Sequence, residues 1–373
     1  MYSEPKRVEY LDSIRGLAAL FVLLCHTVSA FVWPASYGFI MNLPFIHILV
    51  DGKEAVAMFF VLSGYVLSKP YLSARPPNQP RTIYLPTFYL RRFTRIWIPW
   101  FAFFLASIVA RTYLFSSPVI QPAKTSWLAN FWQAPMSWHD FFLQCLFLLH
   151  DASRQLLVQD WSLGMELKGS VLVSIAVILL KRKHSLLTLG LFLLILVFIG
   201  TGYYYASFCI GIMIANYEGA CQARLQRTNG TMKLIGLVLA LLFYQCHTYE
   251  IECFGFEPAL LNIGWVITSL GCGGILLFIM TNEPAQKILS SRPFVFLGRI
   301  SYSVYLVQFI IIMCLLPPLI HWLNLLGISS PLMIFCLVVV ASVSVCVLIS
   351  AFTYRFIEVP AINLGHRLTK KIQ

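Results

Sequence analysis

The chain has 373 residues, of which 59% are hydrophobic and 11% charged, with a formal net charge of +12. Soluble domains average about 25% charged residues. This composition, with a mean hydropathy of +0.77, excludes an ordinary water-soluble domain. It predicts an all-α, polytopic transmembrane helical bundle.

Ten apolar runs are candidate spans, at about 14–33, 55–72, 96–115, 161–180, 185–200, 202–217, 234–248, 259–280, 300–320 and 332–354. The first carries no small-residue cleavage site and reads as a span rather than a signal peptide. Between the fifth and sixth, Gly200, Thr201 and Gly202 must make a very tight turn. With the N-terminus in the cytoplasm, the inner segments hold 22 of the 27 Lys and Arg residues. The outer ones are Lys53, Arg111, Lys124, Arg154 and Lys168. That asymmetry puts both termini in the cytoplasm and makes the positive charge an orientation signal rather than a nucleic-acid surface.

The longest outer segment, about Ser116 to Asp160, contains Trp127, Trp132, Trp138, His139, Asp140 and Asp151. It reads as an interfacial aromatic belt or as a lid over an acceptor site. The cysteines lie mostly inside apolar runs, which argues against a disulfide framework, although Cys246 and Cys253 could pair at an outer surface. No soluble domain, internal repeat or low-complexity tract interrupts 1–373, which is expected to be a single integral membrane domain.

Ionisable residues within spans are costly and mark function. Arg15 and His26 lie eleven residues apart in the first span, about three turns and roughly 16 Å along one helical face. A neutral histidine near mid-membrane suits a general base. Arg15, at the cytoplasmic mouth with Asp12 one turn earlier, is either a snorkelling cation or an anion contact. Arg92 and Arg95, in RRFTR ahead of the third span, share a helix face and suit phosphates, or serve topology alone. Ser63 and Gly64 read as helix-packing residues, because no base is tied to Ser63 in sequence. Glu166 opens the fourth span as an interfacial ion pair with Lys168, as a contact for an acceptor hydroxyl, or as the group that orients the histidine. The remaining histidines show no metal-ligand spacing, and neither a Walker loop nor a dinucleotide glycine motif is present.

Six fragments in order, YLDSIRGLAALFVLLCH, FFVLSGYVLS, RRFTR, WSLGMEL, GRISYSVYLVQ and YRFIEVP, resemble the membrane acyltransferase-3 family across nearly the whole chain. The resemblance implies transfer of an acyl group, typically acetyl, from cytoplasmic acyl-CoA to a hydroxyl of a glycan or glycolipid. It also implies a bacterial inner (plasma) membrane location. Carried residue by residue, it makes His26 the essential catalytic histidine, with Arg15 its partner. Arg92 and Arg95 match the donor-binding arginines, and Glu166 matches the acid of the tryptophan-serine-leucine element. Two positions depart from the pattern: Gln308 stands where the family often has histidine, and Lys168 stands where it more often has an uncharged residue.

The expected chemistry needs acyl-CoA as donor substrate, no tightly bound cofactor and no metal. His26 deprotonates the acceptor hydroxyl for attack on the thioester, or it carries the acyl group itself. A proton-coupled transporter of an anionic or acylated metabolite would also use a buried histidine. A structural assembly factor would not need one.

Overall fold

The computed structural model of the protein describes residues 8–31, 43–72, 83–115, 127–149, 151–180, 190, 202–246 and 258–370. Among these the regular structure is helical throughout. The α-helices are α1 Glu9–Ala30, α2 Pro44–Val50, α3 Gly52–Leu72, α4 Leu85–Tyr113, α5 Trp138–Cys145, α6 Asp160–Leu180 and α7 Tyr205–Asn216. They continue with α8 Glu218–Gln226, α9 Gly230–Tyr244, α10 Pro258–Met280, α11 Glu283–Leu289, α12 Arg292–Leu325, α13 Pro331–Thr353 and α14 Val359–Lys370. A π-helical segment, Tyr354–Glu358, joins α13 to α14.

Among the described residues seven helices are long and apolar enough to cross a membrane: α1, α3, α4, α6, Ile263–Met280 of α10, α12 and the continuous Pro331–Lys370. The apolar helices α7 and α9 are shorter. Nine of the ten apolar runs coincide with helices; the run at 185–200, apart from Gly190, lies outside the described residues, as does Cys253. The third run starts earlier than its hydropathy indicates. Helix α4 begins at Leu85, so Arg91, Arg92 and Arg95, ahead of the third apolar run, are helical residues, as the shared helix face of Arg92 and Arg95 requires. Helical hydrogen bonds satisfy the backbone within these apolar helices, as a bilayer demands. Pro99 in α4 and Pro317 and Pro318 in α12 are accommodated within that pattern.

The chain divides into two compact units interleaved in sequence. Unit 1 comprises Met1–Ala18, Lys53–Tyr89 and Met165–Gly298. Its helices cross at glycines. A Cβ on Gly64 would collide with the Phe208 carbonyl, and one on Gly211 with the Val61 carbonyl, so α3 and α7 approach backbone to backbone. Gly16 of α1 and Gly298 of α12 do the same, a Cβ on Gly16 falling 2.6 Å from the Gly298 nitrogen. Without a hydrophobic force between helices in lipid, such close contact supplies the dispersion energy that associates them. Buried polar side chains add a network between α7 and α10. Trp265 Nε1 donates to Ser207 Oγ (3.2 Å), Ser207 and Ser269 bond at 2.7 Å, and Ser269 Oγ donates to the Trp265 carbonyl (2.8 Å).

Unit 2 comprises Ala19–Gly52, Leu90–Gly164 and Arg299–Gln373. Its core is aromatic. Trp100 stacks on Phe104 at 5.1 Å and meets Phe147 at 4.7 Å, and its Nε1 donates to buried Asp160 at 2.6 Å. Gln144 of α5 donates to the same carboxylate, fastening the segment before α6 to α4. Helix α5 starts in a capping box: Asp140 N–H donates to Ser137 Oγ, and the Asp140 carboxylate accepts from the Ser137 backbone. That cap holds the Asp140 carboxyl below the usual carboxylate range, aided by Arg154 at 3.3 Å. Tyr302 of α12 donates to the Ile96 carbonyl (2.6 Å), and Ser303 donates to buried Glu358 of the π-helical segment (3.1 Å). Helix α13 leaves Val340, Leu348 and Phe352 exposed, a surface whose natural solvent is lipid.

Candidate active site

Unit 2 holds the histidine. Helix α1 ends at Ala30, so His26 lies about one turn from that end, farther along the span than the hydropathy run places it. The side chain is half-buried, and its Nδ1 is fully buried without a hydrogen-bond partner among the described residues. One face of the ring is covered by Trp127, with centroids 5.2 Å apart and planes 21° from parallel. Trp127 belongs to the tryptophan-rich segment between α4 and α6, in which Trp138 is 79% exposed.

The stack rests on an aromatic floor. Trp127, Phe131 and Trp132 surround Phe309 of α12 edge-on, at 6.3, 5.0 and 6.0 Å. Trp132 has φ 59°, a left-handed conformation that costs a bulky residue free energy. Its surroundings hold it there: its indole donates to the Leu156 carbonyl (3.2 Å), and Arg111 donates to its carbonyl (3.3 Å). The loop is thus fixed against Phe309, and Trp127 is fixed over His26.

The second side chain against His26 is Gln308 of α12, which is fully buried. Its Nε2 donates to the Tyr305 carbonyl at 3.1 Å. Gln159 reaches the same carbonyl from the segment before α6, at 2.7 Å. Ser162 binds the Gln159 carbonyl (2.8 Å) and the Tyr305 hydroxyl (2.5 Å), completing a tie between that segment and α12.

Glu166 and Ser63 lie in unit 1. The Ser63 hydroxyl donates to Glu166 Oε1 at 2.7 Å, so Ser63 does more than pack, and Gly64 beside it makes the close crossing. Lys168 is exposed, and residues two apart do not share a helix face. Arg15 pairs with Asp12 at 2.8 Å, the partner its spacing predicts. In unit 2, Arg92 is half-buried and Arg95 exposed. Neighbouring Arg91 donates from Nε to Thr369 Oγ1 (3.0 Å), tying α4 to α14. No group of three or more potential metal ligands occurs among the described residues.

Sequence reasoning missed three of these contacts: Trp127 on His26, Gln308 beside His26, and Ser63 on Glu166. The only signal for Gln308 was its departure from the pattern at the end of SYSVYLVQ. Nothing local marks Trp127 above the other tryptophans of its segment.

A helical membrane-type protein with a histidine set among aromatic rings in one of its spans is the class that fold and site define. Residues 8–351 match the acyltransferase domain family, and the chain belongs to it. It is similar to the peptidoglycan O-acetyltransferase OatA of Listeria monocytogenes, with 24% identity over 95% of this chain and 56% of the relative. It is similar also to the O-acetyltransferase OatA of Staphylococcus aureus, with 22% identity over 98% of this chain and 59% of the relative. The chain therefore spans a little over half the length of these curated relatives. No solved structure matches it significantly.

Proposed function

We propose that the protein transfers an acyl group, in the first instance acetyl, to a hydroxyl of a carbohydrate acceptor in the bacterial cell envelope. The observation that carries this reading is His26, an imidazole in a membrane-spanning helix, braced by Trp127 and Gln308 in a chain of the acyltransferase family. Peptidoglycan, the acceptor in the name of the Listeria relative, is the first acceptor to try.

The donor we propose is acyl-CoA from the cytoplasm. Arg92 and Arg95, three apart on α4, take its phosphates, and Arg15 contributes an anion contact at the mouth of α1. His26 takes the proton of the acceptor hydroxyl. The oxygen attacks the thioester carbonyl, the carbon–sulfur bond breaks, and the imidazolium returns its proton to the departing thiolate. For Glu166 we propose contact with the acceptor hydroxyl, since its carboxylate already accepts one from Ser63. Both termini face the cytoplasm in this scheme, as the Lys and Arg asymmetry requires.

The test is release of free thiol from acetyl-CoA by the purified protein in proteoliposomes, with and without a glycan acceptor. Acceptor-dependent release that disappears in His26→Ala supports the proposal, and release that survives His26→Ala overturns the role of the histidine. Acetylated glycan formed from another donor, with acetyl-CoA inert, overturns the donor. The double variant Arg92→Ala with Arg95→Ala is expected to raise KM for acyl-CoA at least ~10-fold with insertion unchanged. An unchanged KM reassigns both arginines to topology.

A further inference from the structure

Two buried atoms in unit 2 each lack what the other could supply. His26 Nδ1 and Gln308 Oε1 are both without a hydrogen-bond partner among the described residues, while the Gln308 side chain lies against the imidazole. The orientation of the Gln308 amide is not free. Its Nε2 must face the Tyr305 carbonyl, to which it donates, so Oε1 faces away from that carbonyl. An amide oxygen only accepts, whereas a neutral imidazole offers one N–H and one lone pair. A bond from the imidazole to this oxygen therefore forms only with the proton on the nitrogen that makes it.

We infer that Gln308 is a positioning residue for His26: its Oε1 takes the Nδ1–H and leaves the lone pair on Nε2. On the reading proposed above, Nε2 is then the atom that removes the proton of the acceptor hydroxyl. The half-buried ring with its buried Nδ1 suits this, since the buried nitrogen is the one that substrate cannot reach. Trp127 fixes the plane of the ring and Gln308 its tautomer. Gln159 supports the arrangement indirectly. It shares the Tyr305 carbonyl with Gln308 and donates also to the Leu306 carbonyl at 3.2 Å, which holds that turn of α12 in place. A carboxylate at position 308 would also accept the N–H, but at the cost of a charge within the membrane. A glutamine selects the tautomer without one. The departure of this chain from histidine at position 308 is thereby compatible with a working base.

The test is the tautomer itself, read by nitrogen NMR of protein labelled with ¹⁵N-histidine. His26 is assigned by the signal lost in His26→Asn. The expected result is a protonated Nδ1 and an unprotonated Nε2 in the neutral wild type. Gln308→Met, similar in size but unable to accept strongly, is expected to give a mixture of tautomers. In that variant kcat is expected to fall at least ~10-fold, the lower end for partners that orient functional histidines, with KM for the donor unchanged. Gln308→Glu keeps an oxygen in place and is expected to keep the proton on Nδ1. A wild-type His26 protonated on Nε2, or a tautomer unmoved by Gln308→Met, overturns the inference. If Gln308→Met does not fold, the wild-type spectrum decides alone. Because the tautomer is read without turnover, a protonated Nδ1 in a protein that transfers no acyl group refutes the proposed function and leaves the role of Gln308 standing.

Discussion

Two buried polar clusters in this protein are built on opposite terms. Between α7 and α10 of unit 1, Trp265, Ser207 and Ser269 pass hydrogen bonds around a ring that ends on the Trp265 carbonyl, so each polar group in it has a partner. Around α12 of unit 2, His26 Nδ1, Gln308 Oε1 and Gln159 Oε1 are buried without partners among the described residues. Leaving a buried polar atom unsatisfied costs about 1–3 kcal/mol, so the first cluster stabilises, while the second carries a cost that a bond from His26 to Gln308 would lower. A buried polar residue in a membrane protein is therefore read by whether its hydrogen bonds close.

Substitutions can break this contrast, beginning with the largest effect. His26→Ala is expected to lower acyl transfer by about 10²–10⁴-fold, the contribution of a positioned general base, while the thermal midpoint stays unchanged or rises. A midpoint that falls steeply would place His26 with the structural cluster. Ser269→Ala is expected to do the reverse. It costs about 1–3 kcal/mol, because the Ser207 hydroxyl loses its acceptor and keeps only the bond from Trp265, and it leaves kcat unchanged. Thermal melts and initial rates on the same preparation check both variants. Trp127→Ala removes the ring from over His26 and is expected to cost about 10-fold in rate, with a smaller loss of stability. Equal rates in the two proteins would return Trp127 to the interfacial belt.

The smallest effect concerns the segment between α4 and α6 alone. The Asp140 carboxyl is depressed chiefly by its hydrogen bonds with Ser137. Its contribution is complete above the ordinary carboxylate value, about 3.9, and is lost as pH falls through the lower folded value. Amide exchange in α5 is expected to quicken slightly in Asp140→Asn at neutral pH, and to differ less from wild type once acid has protonated Asp140. Identical exchange in variant and wild type at neutral pH would show that the capping box does not hold this helix.

The candidate site was legible in unequal parts. His26 stood out because a titratable residue is conspicuous in an apolar run, and Arg15 with Asp12 followed from helical spacing alone. Ser63 was read as packing, since a serine in sequence carries no sign of the carboxylate a hundred residues away that it will meet. Glutamines are easier still to overlook. Gln308 and Gln159 have no charge to betray them, and their importance lies in sharing one carbonyl of α12 beside an imidazole from α1.

Hydropathy and spacing are properties of neighbours along the chain, so the sequence by itself determined the helical membrane-type architecture, the long apolar helices and the histidine that stands out within one of them. The extent of α4 was misjudged because arginines at a helix start lower hydropathy without interrupting the helix. Only the tertiary structure decided what surrounds His26. Trp127 comes from the segment between α4 and α6 and Gln308 from α12, both far away in sequence, and each meets the imidazole. Such contacts depend on how helices cross and on which way an amide turns, and these are fixed by backbone approach and by the need of carbonyls such as that of Tyr305 for donors.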